Sequence, residues 1–147
     1  MIFNKNNTEW KDGTGSLILG QQMGLLDSIN SKHPYLFDRY KRQKEVDWFE
    51  DEFNLEQSRL DFLSCPPDIY KAMIKNLAYQ WEVDSVAFNS LSYLLAPFIT
   101  DSDFKLAITK NTEIEGLHAL TYSEIVRLAV PDPNEVFKEA LENDQVM

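Results

Sequence analysis

Cysteine and positive charge are scarce in this chain, and each shortage argues against certain classes of function. Cys65 is the single cysteine among 147 residues, so an intrachain disulfide cannot form, and zinc ribbons or iron–sulfur clusters, which need several thiolates, are disfavoured. The net charge of −10 disfavours direct binding to nucleic acid phosphates, and the one basic cluster, residues 39–44, is interpreted as a solvated helix face. The sequence has no apolar run of about 18 residues and no basic, apolar N-terminus, so we expect neither membrane insertion nor secretion, and a cytoplasmic location.

Helix-breaking residues are also few, and their positions predict an all-α fold. The 5 glycines and 6 prolines fall largely outside long stretches in which apolar residues recur every three or four positions. An apolar content of 44% excludes a disordered chain. We predict an irregular N-terminal arm over residues 1–31, whose apolar patch Leu17–Leu19 packs on the domain, followed by a helical domain over residues 32–147.

The helical domain is predicted to contain segments of unequal length. A first helix runs from Tyr35 to Trp48, and a loop or broken turn covers Glu50–Asp61. The pair Pro66-Pro67 opens a long helix, since proline is well suited to a helix start. A short amphipathic segment covers Pro133–Leu141.

The most informative stretch is Glu115–Tyr122, in which a carboxylate, an imidazole and a phenol recur at helical spacing. On an α-helix Glu115, His118 and Tyr122 share one face. Gly116 costs this helix about 1 kcal/mol relative to alanine, which is consistent with close packing against a neighbouring helix. The shared face continues in steps of four and three as a core-facing stripe that comprises Phe104, Ile108, Asn111, Glu115, His118, Tyr122, Ile125 and Ala129.

A second stripe carries one carboxylate, Asp84, among apolar neighbours. An ionised carboxylate there costs several kcal/mol unless a cation, a hydrogen-bond network or a metal compensates it. Pro97 and a capping residue, Asp101 or Ser102, predict a connection between two helices, and the midpoint of positions 84 and 115 falls inside it. Asp84 and Glu115 should therefore lie level and face each other. The stripe comprises Tyr70, Ile74, Leu77, Trp81, Asp84, Phe88 and Leu91.

A carboxylate that faces Glu-x-x-His is half of the donor set of four-helix di-metal carboxylate proteins. Oxygen-rich donors with one imidazole per metal suit iron or manganese. Tyr122 follows His118 by four residues, so it should lie one turn from the metal, where an oxidisable phenol is useful. Each motif also has a plainer interpretation. Glu-x-x-His is a common pattern that by itself seldom binds metal, and Tyr122 considered alone would more often be a core tyrosine with a satisfied hydroxyl.

The same residues carry a resemblance to a known family. The chain resembles the N-terminal part of the small, radical-generating β subunit of class I ribonucleotide reductase, over most of its length. The most specific block is Glu115-x-x-His118-x-x-Thr121-Tyr122-Ser123. Further matching segments are Pro34–Tyr40, Val46–Phe49, Ser58–Phe62, Ile74–Gln80, Asp84-Ser85 and Asp132–Phe137.

This resemblance implies a ferritin-like helical bundle and a role for each matching residue. Asp84 and His118 would ligate the first metal of a di-iron centre, or of a manganese one, and Glu115 would bridge toward the second metal. Tyr122 would become a stable radical, and Trp48 would relay electrons to the metal site and along the path to the large subunit. In that family the radical reaches a cysteine of the large subunit, which reduces ribonucleotides to deoxyribonucleotides.

Length is the largest departure from the family, whose subunit is much longer and takes the ligands of its second metal from later helices. We therefore expect one piece of a split subunit, completed by a C-terminal piece of the small subunit, joined by the large catalytic subunit and assembled into a higher-order dimer. Two other interpretations stay open. One is a ferritin-like homodimer in which two copies of Asp84, Glu115 and His118 build the site, and the other is a non-catalytic truncated remnant.

Overall fold

The structure is a computed structural model and describes residues 3–143. Within this range the chain forms five α-helices. They are α1, Pro34–Glu45; α2, Glu56–Ser64; α3, Pro67–Ser90; α4, Ser102–Ala129; and α5, Pro133–Leu141. A π-helical turn, Leu91–Leu95, and a short 3-10 helix, Ala96–Phe98, continue α3 toward α4, and a further 3-10 helix covers Glu9–Lys11. The predicted all-α class is confirmed.

Proline and aspartate define where the helices begin. Pro34, Pro67 and Pro133 each stand at a helix start, where the missing N–H has no intrahelical partner in any case. The Asp101 carboxylate accepts a hydrogen bond from the Phe104 N–H at 2.7 Å, so of the two predicted caps of α4 it is Asp101 that serves. These starts define the first residues of α3 and α4, the helices that carry the candidate site.

Two predicted segments differ from the structure. Helix α1 ends at Glu45, so Trp48 lies in the following loop rather than in the helix. Helix α2 begins at Glu56, inside the stretch predicted as a loop, because Glu56–Ser64 is a continuous run without glycine or proline. Both errors concern helix ends, and the first frees the Trp48 side chain from helical geometry.

The chain divides into two compact units, Met1–Asp47 with Asn89–Glu113 and Trp48–Phe88 with Ile114–Met147. The predicted boundary between residues 31 and 32 stays a prediction. Among the described residues, none of the helices has both the length and the apolar character that crossing a bilayer requires.

In the first unit the N-terminal arm is held by its backbone. Leu19 donates an N–H to the Phe98 carbonyl at 2.9 Å, and Thr100 donates to the Leu17 carbonyl at 3.0 Å. The predicted packing of the Leu17–Leu19 patch is wrong for two side chains, since Ile18 is 45% and Leu19 is 74% exposed. The arm is therefore attached by hydrogen bonds instead of apolar burial.

One buried cation also belongs to the first unit. The Lys110 side chain is 7% exposed, and its amine lies 2.6 Å from Asp47 and 3.2 Å from Glu113. Burial opposes the charged amine, whereas the two carboxylates raise its pKa, and the net direction is upward. Glu113, which sequence spacing turns away from Glu115, is thus bound by a lysine on its own helix.

The second unit contains the apolar core that supports the site. Its buried residues are drawn from α3, from the end of α4 and the residue after it, and from α5, namely Ile74, Leu77, Ala78, Val126, Val130 and Val136. Trp81, Tyr122 and Ile125 pack against this cluster while partly exposed. The two stripes predicted from the sequence are thus buried at one end, and they become half-exposed toward Asp84 and His118.

Candidate metal centre

Helices α3 and α4 bring three potential ligands together in the second unit. Asp84, Glu115 and His118 each offer one donor atom, and these atoms all lie within 4.8 Å of one another. The His118 Nδ1 is 3.6 Å from a Glu115 oxygen and 3.8 Å from an Asp84 oxygen. The prediction that Asp84 and Glu115 face each other across the helix pair is confirmed, whereas their function as ligands stays a prediction.

These distances can be compared with the size of a metal ion. Two donor atoms that each lie about 2.1 Å from one ion are at most about 4.2 Å apart. Both distances from His118 fall within that limit, so an ion can occupy the space between the three side chains with small torsional changes. Two carboxylates and one imidazole are a donor set that suits iron or manganese. The residues present therefore fit one half of a di-metal centre.

The electrostatic environment of Asp84 also favours a cation. Its side chain is 15% exposed. Burial raises the pKa of the Asp84 carboxyl, the neighbouring Glu115 raises it further, and His118 acts in the opposite direction. A carboxylate that is disfavoured in its charged form is stabilised by any positive ion placed beside it.

We expect Asp84→Asn to raise the thermal stability of the metal-free chain while it weakens metal binding. Because the folded state binds the Asp84 proton more tightly than the unfolded state, stability at this group falls as pH rises from the usual aspartate value through the raised one. Asparagine removes that loss, and we expect Tm near neutral pH to rise by roughly 2–4 °C, the shift that 1 kcal/mol gives in a chain of similar size.

Thermal unfolding of the metal-free chain at mildly acidic and at neutral pH tests this expectation. The matched control is Asp38→Asn, which neutralises a carboxylate that is 64% exposed. The wild-type chain should have a higher Tm at mildly acidic pH than at neutral pH. This difference in Tm should become smaller in Asp84→Asn and stay the same in Asp38→Asn. A lower Tm in Asp84→Asn at neutral pH would show that the buried carboxylate is satisfied without a metal.

Aromatic rings extend the site away from the carboxylates. The Trp48 indole is stacked on the His118 imidazole, with a centroid distance of 5.9 Å and an interplanar angle of 22°. The Phe53 ring packs on the Trp48 indole edge to face, with a centroid distance of 5.5 Å and an interplanar angle of 70°. A tryptophan in contact with a potential ligand is well placed to exchange electrons with a metal held by that ligand.

Tyr122 lies one helical turn beyond His118 and is half-buried against the apolar core. Burial raises the pKa of its phenol, and the negative charge of Asp84 raises it further. The phenol therefore keeps its proton at neutral pH. A neutral, half-buried phenol next to a redox-active ion can lose an electron together with its proton.

A solvent-open cleft of about 550 Å³ borders this group of side chains. Its lining includes Trp48, Phe53, His118, Tyr122 and Ile125. Further helices are required if the metal is to be enclosed as in a complete four-helix centre.

Two contacts at the site carry little signal in the sequence. Phe53 lies in an irregular segment before α2, and such a segment has no periodicity from which a contact could be inferred. The packing partner of Gly116 was also unknown, and the structure assigns it to Phe88 of α3. Only the unusual position of a glycine within a helix indicated that some close neighbour existed.

Comparison with known proteins locates the fold. No family model matches the chain. The solved structure of the ribonucleotide reductase R2 subunit from Clostridium botulinum aligns with a TM-score of 0.86 and 22% identity, over 99% of this chain and 45% of that chain. The fold is that of the R2 subunits. This agreement confirms the predicted N-terminal half of a ferritin-like bundle.

Sequence relatives point in the same direction. The β subunit of ribonucleoside-diphosphate reductase from Haemophilus influenzae is 25% identical over 131 residues, which are 89% of this chain and 35% of that protein. The β subunit from Enterobacteria phage T4 is 26% identical over 131 residues, which are 89% of this chain and 34% of that protein. The chain thus spans about a third of the length of the curated relatives it matches.

Proposed function

We propose that this chain is the N-terminal piece of the radical-generating small subunit of a class I ribonucleotide reductase. The observation that carries the proposal is the grouping of Asp84, Glu115 and His118 on two facing helices, with Trp48 stacked on His118. The relatives bear the name ribonucleoside-diphosphate reductase subunit beta, and the resemblance to them covers most of this chain. A packing explanation accounts for none of the three polar ligands.

In this proposal Asp84 and His118 hold the first metal, and Glu115 extends toward the second. A di-iron or di-manganese centre, when bound, supplies a strong oxidant after it has reacted with oxygen. The phenol of Tyr122 loses one electron and its O–H proton, and it becomes a neutral tyrosyl radical. Its partial burial against the apolar core limits access of reductants from water.

Trp48 and His118 have a second function in the proposal. The stacked rings provide a short route by which an electron passes between the surface loop and the metal ligands. Reducing equivalents enter the site by this route, and the radical leaves toward the large subunit along the same path. Phe53 packs on the indole edge to face and thereby restricts its orientation.

The proposal requires partners, because three donors do not complete a di-metal site that normally takes four carboxylates and two histidines. We propose that a separate C-terminal piece of the small subunit brings the remaining ligands and covers the cleft beside Trp48 and Tyr122. The assembled small subunit forms a dimer, and it binds the large catalytic subunit, which carries out the reduction of ribonucleotides to deoxyribonucleotides.

Reconstitution with Fe(II) and oxygen tests the function. Metal stoichiometry and electron paramagnetic resonance are measured on this chain alone and on its mixture with a C-terminal piece of a matching small subunit. We expect one weakly bound ion per monomer and no radical from the chain alone. The mixture should contain two irons per small subunit and a tyrosyl radical.

Other outcomes would replace the proposal. A stable homodimer of this chain that binds two irons at its interface would favour the ferritin-like alternative, and light scattering would reveal its mass. If neither sample bound metal, a remnant without catalytic function would be the better explanation. Co-expression that yields no complex would eliminate the split subunit.

A further inference from the structure

Gly116 stands within α4 between two proposed ligands, Glu115 and His118, and nothing in the helix itself requires a glycine. The cause lies on the neighbouring helix. A Cβ built on Gly116 would lie 3.0 Å from Cδ2 and 3.1 Å from Cε2 of Phe88. Such distances are shorter than ordinary carbon–carbon contacts of 3.5–4.0 Å. Any side chain at position 116 would therefore require the Phe88 ring to move away by a few tenths of an ångström.

This contact lies next to both proposed carboxylate ligands. Phe88 follows Asp84 by one turn of α3, and Gly116 directly follows Glu115 on α4. The distance between two packed helices depends on the side chains at their contact, and a glycine permits a closer approach. The thickness of one phenyl ring against bare backbone thus determines how far apart the helices lie beside Asp84 and Glu115.

Core stability explains neither residue. Phe88 is 40% exposed, so much of the benefit of burying a phenylalanine is absent. Gly116 carries the helix penalty already noted, which alanine would remove. Phe88 and Gly116 are each unfavourable for stability, yet their shapes fit each other. Because they lie within one turn of the three proposed ligands, we infer that the spacing of the two helices requires them.

We propose that Phe88 and Gly116 are positioning residues that set the spacing of α3 and α4 at the metal centre. Their contact fixes the distance between the Asp84 and Glu115 carboxylates, and thereby the size of the ion that the pair can hold. The inference rests on the proposed function, in which these two carboxylates bind metal. Gly116→Ala increases the spacing, and Phe88→Ala removes the spacer.

A double-mutant cycle in the full chain tests this coupling in two ways. The first measurement is thermal unfolding without metal. At a helix position where nothing obstructs the new methyl group, Gly→Ala raises the Tm of a folded protein by a few degrees. We expect Gly116→Ala to give no rise in the wild-type background and the full rise in the Phe88→Ala background, where the new methyl group meets no ring.

The second measurement is the Kd for Mn(II), obtained from the electron paramagnetic resonance signal of unbound manganese. Each single variant should weaken binding by about 5–10-fold, and the double variant should weaken it by less than the product of the two. Leu120→Ala, a truncation on the same helix at an exposed position, is the control and should leave Kd unchanged. Because the Mn(II) readout depends on ligand spacing, a contact that only stabilises packing would not change it.

The outcomes distinguish this inference from the proposed function. Coupling in Tm with an unchanged Kd would reduce the pair to ordinary packing and overturn the inference alone. Strict additivity in both measurements would also overturn it. A wild-type chain that binds no Mn(II), either alone or with the C-terminal piece, would remove the proposed function, and the inference with it.

Discussion

Tyr122→Phe is expected to abolish the tyrosyl radical in the reconstituted complex while two irons still bind. The substitution removes only the phenolic oxygen and hydrogen, and the remaining ring keeps its packing against the core of the second unit. Tyr122 is not one of the proposed ligands, so metal binding should change little. Without a group that can lose both an electron and a proton, turnover should fall by at least about a thousandfold, as for other essential reacting groups.

Electron paramagnetic resonance, iron analysis and deoxynucleotide formation measure these three effects separately. Tyr70→Phe is the matched control, because Tyr70 is also a half-buried tyrosine of the second unit whose phenol pKa is raised by burial and by Glu135. That variant should keep the radical and the activity. A radical or undiminished turnover in Tyr122→Phe would refute the function assigned to Tyr122.

His118→Ala should weaken Mn(II) binding to this chain by about 100-fold or more, since it removes one of three ligands and the only nitrogen donor among them. The same substitution removes the ring on which Trp48 stacks. We therefore expect the complex with the C-terminal piece to lose iron as well as the radical. Iron stoichiometry distinguishes this variant from Tyr122→Phe, which should lose the radical and the turnover but keep its iron.

His33 provides the control for a histidine outside the site. It directly precedes α1 in the first unit and belongs to no group of three potential ligands among residues 3–143. His33→Ala should leave both the Mn(II) affinity and the iron content unchanged. Equal metal occupancy in His118→Ala and in the wild type would contradict the argument that the facing helices form a metal site.

The candidate site was predictable from the sequence because helical periodicity is regular. A residue's number determines its face on a helix, and the distance from a turn determines its level. Those two rules together were sufficient to bring Asp84 opposite Glu115 and His118. They apply because α3 and α4 are long, regular helices that follow each other in the chain.

Features outside long helices were less predictable. The end of α1 at Glu45 and the start of α2 at Glu56 depend on local turns and tertiary contacts, which no apolar periodicity records. The position of the Trp48 ring follows from that irregular loop. Likewise, the exposure of Ile18 and Leu19 arises because backbone hydrogen bonds hold the arm, whereas the sequence pattern suggests apolar packing.

The contact between Phe88 and Gly116 illustrates a different limit. Periodicity assigned each residue to its helix, but the fit between a ring and a bare backbone is a matter of tenths of an ångström. Such complementarity depends on how two helices are spaced, which a single sequence does not state. The close fit between Phe88 and Gly116 is therefore visible only in the folded structure.

The stack of Trp48 on His118 also makes the chain its own optical reporter. Indole fluorescence is quenched by a paramagnetic ion at short range, and an ion on His118 would lie within one ring of Trp48. The chain has three tryptophans, and the part of the quenching that is lost in Trp48→Phe reports the stacked indole. Metal loading and the arrival of a partner over the neighbouring cleft can therefore be followed in real time, without a label.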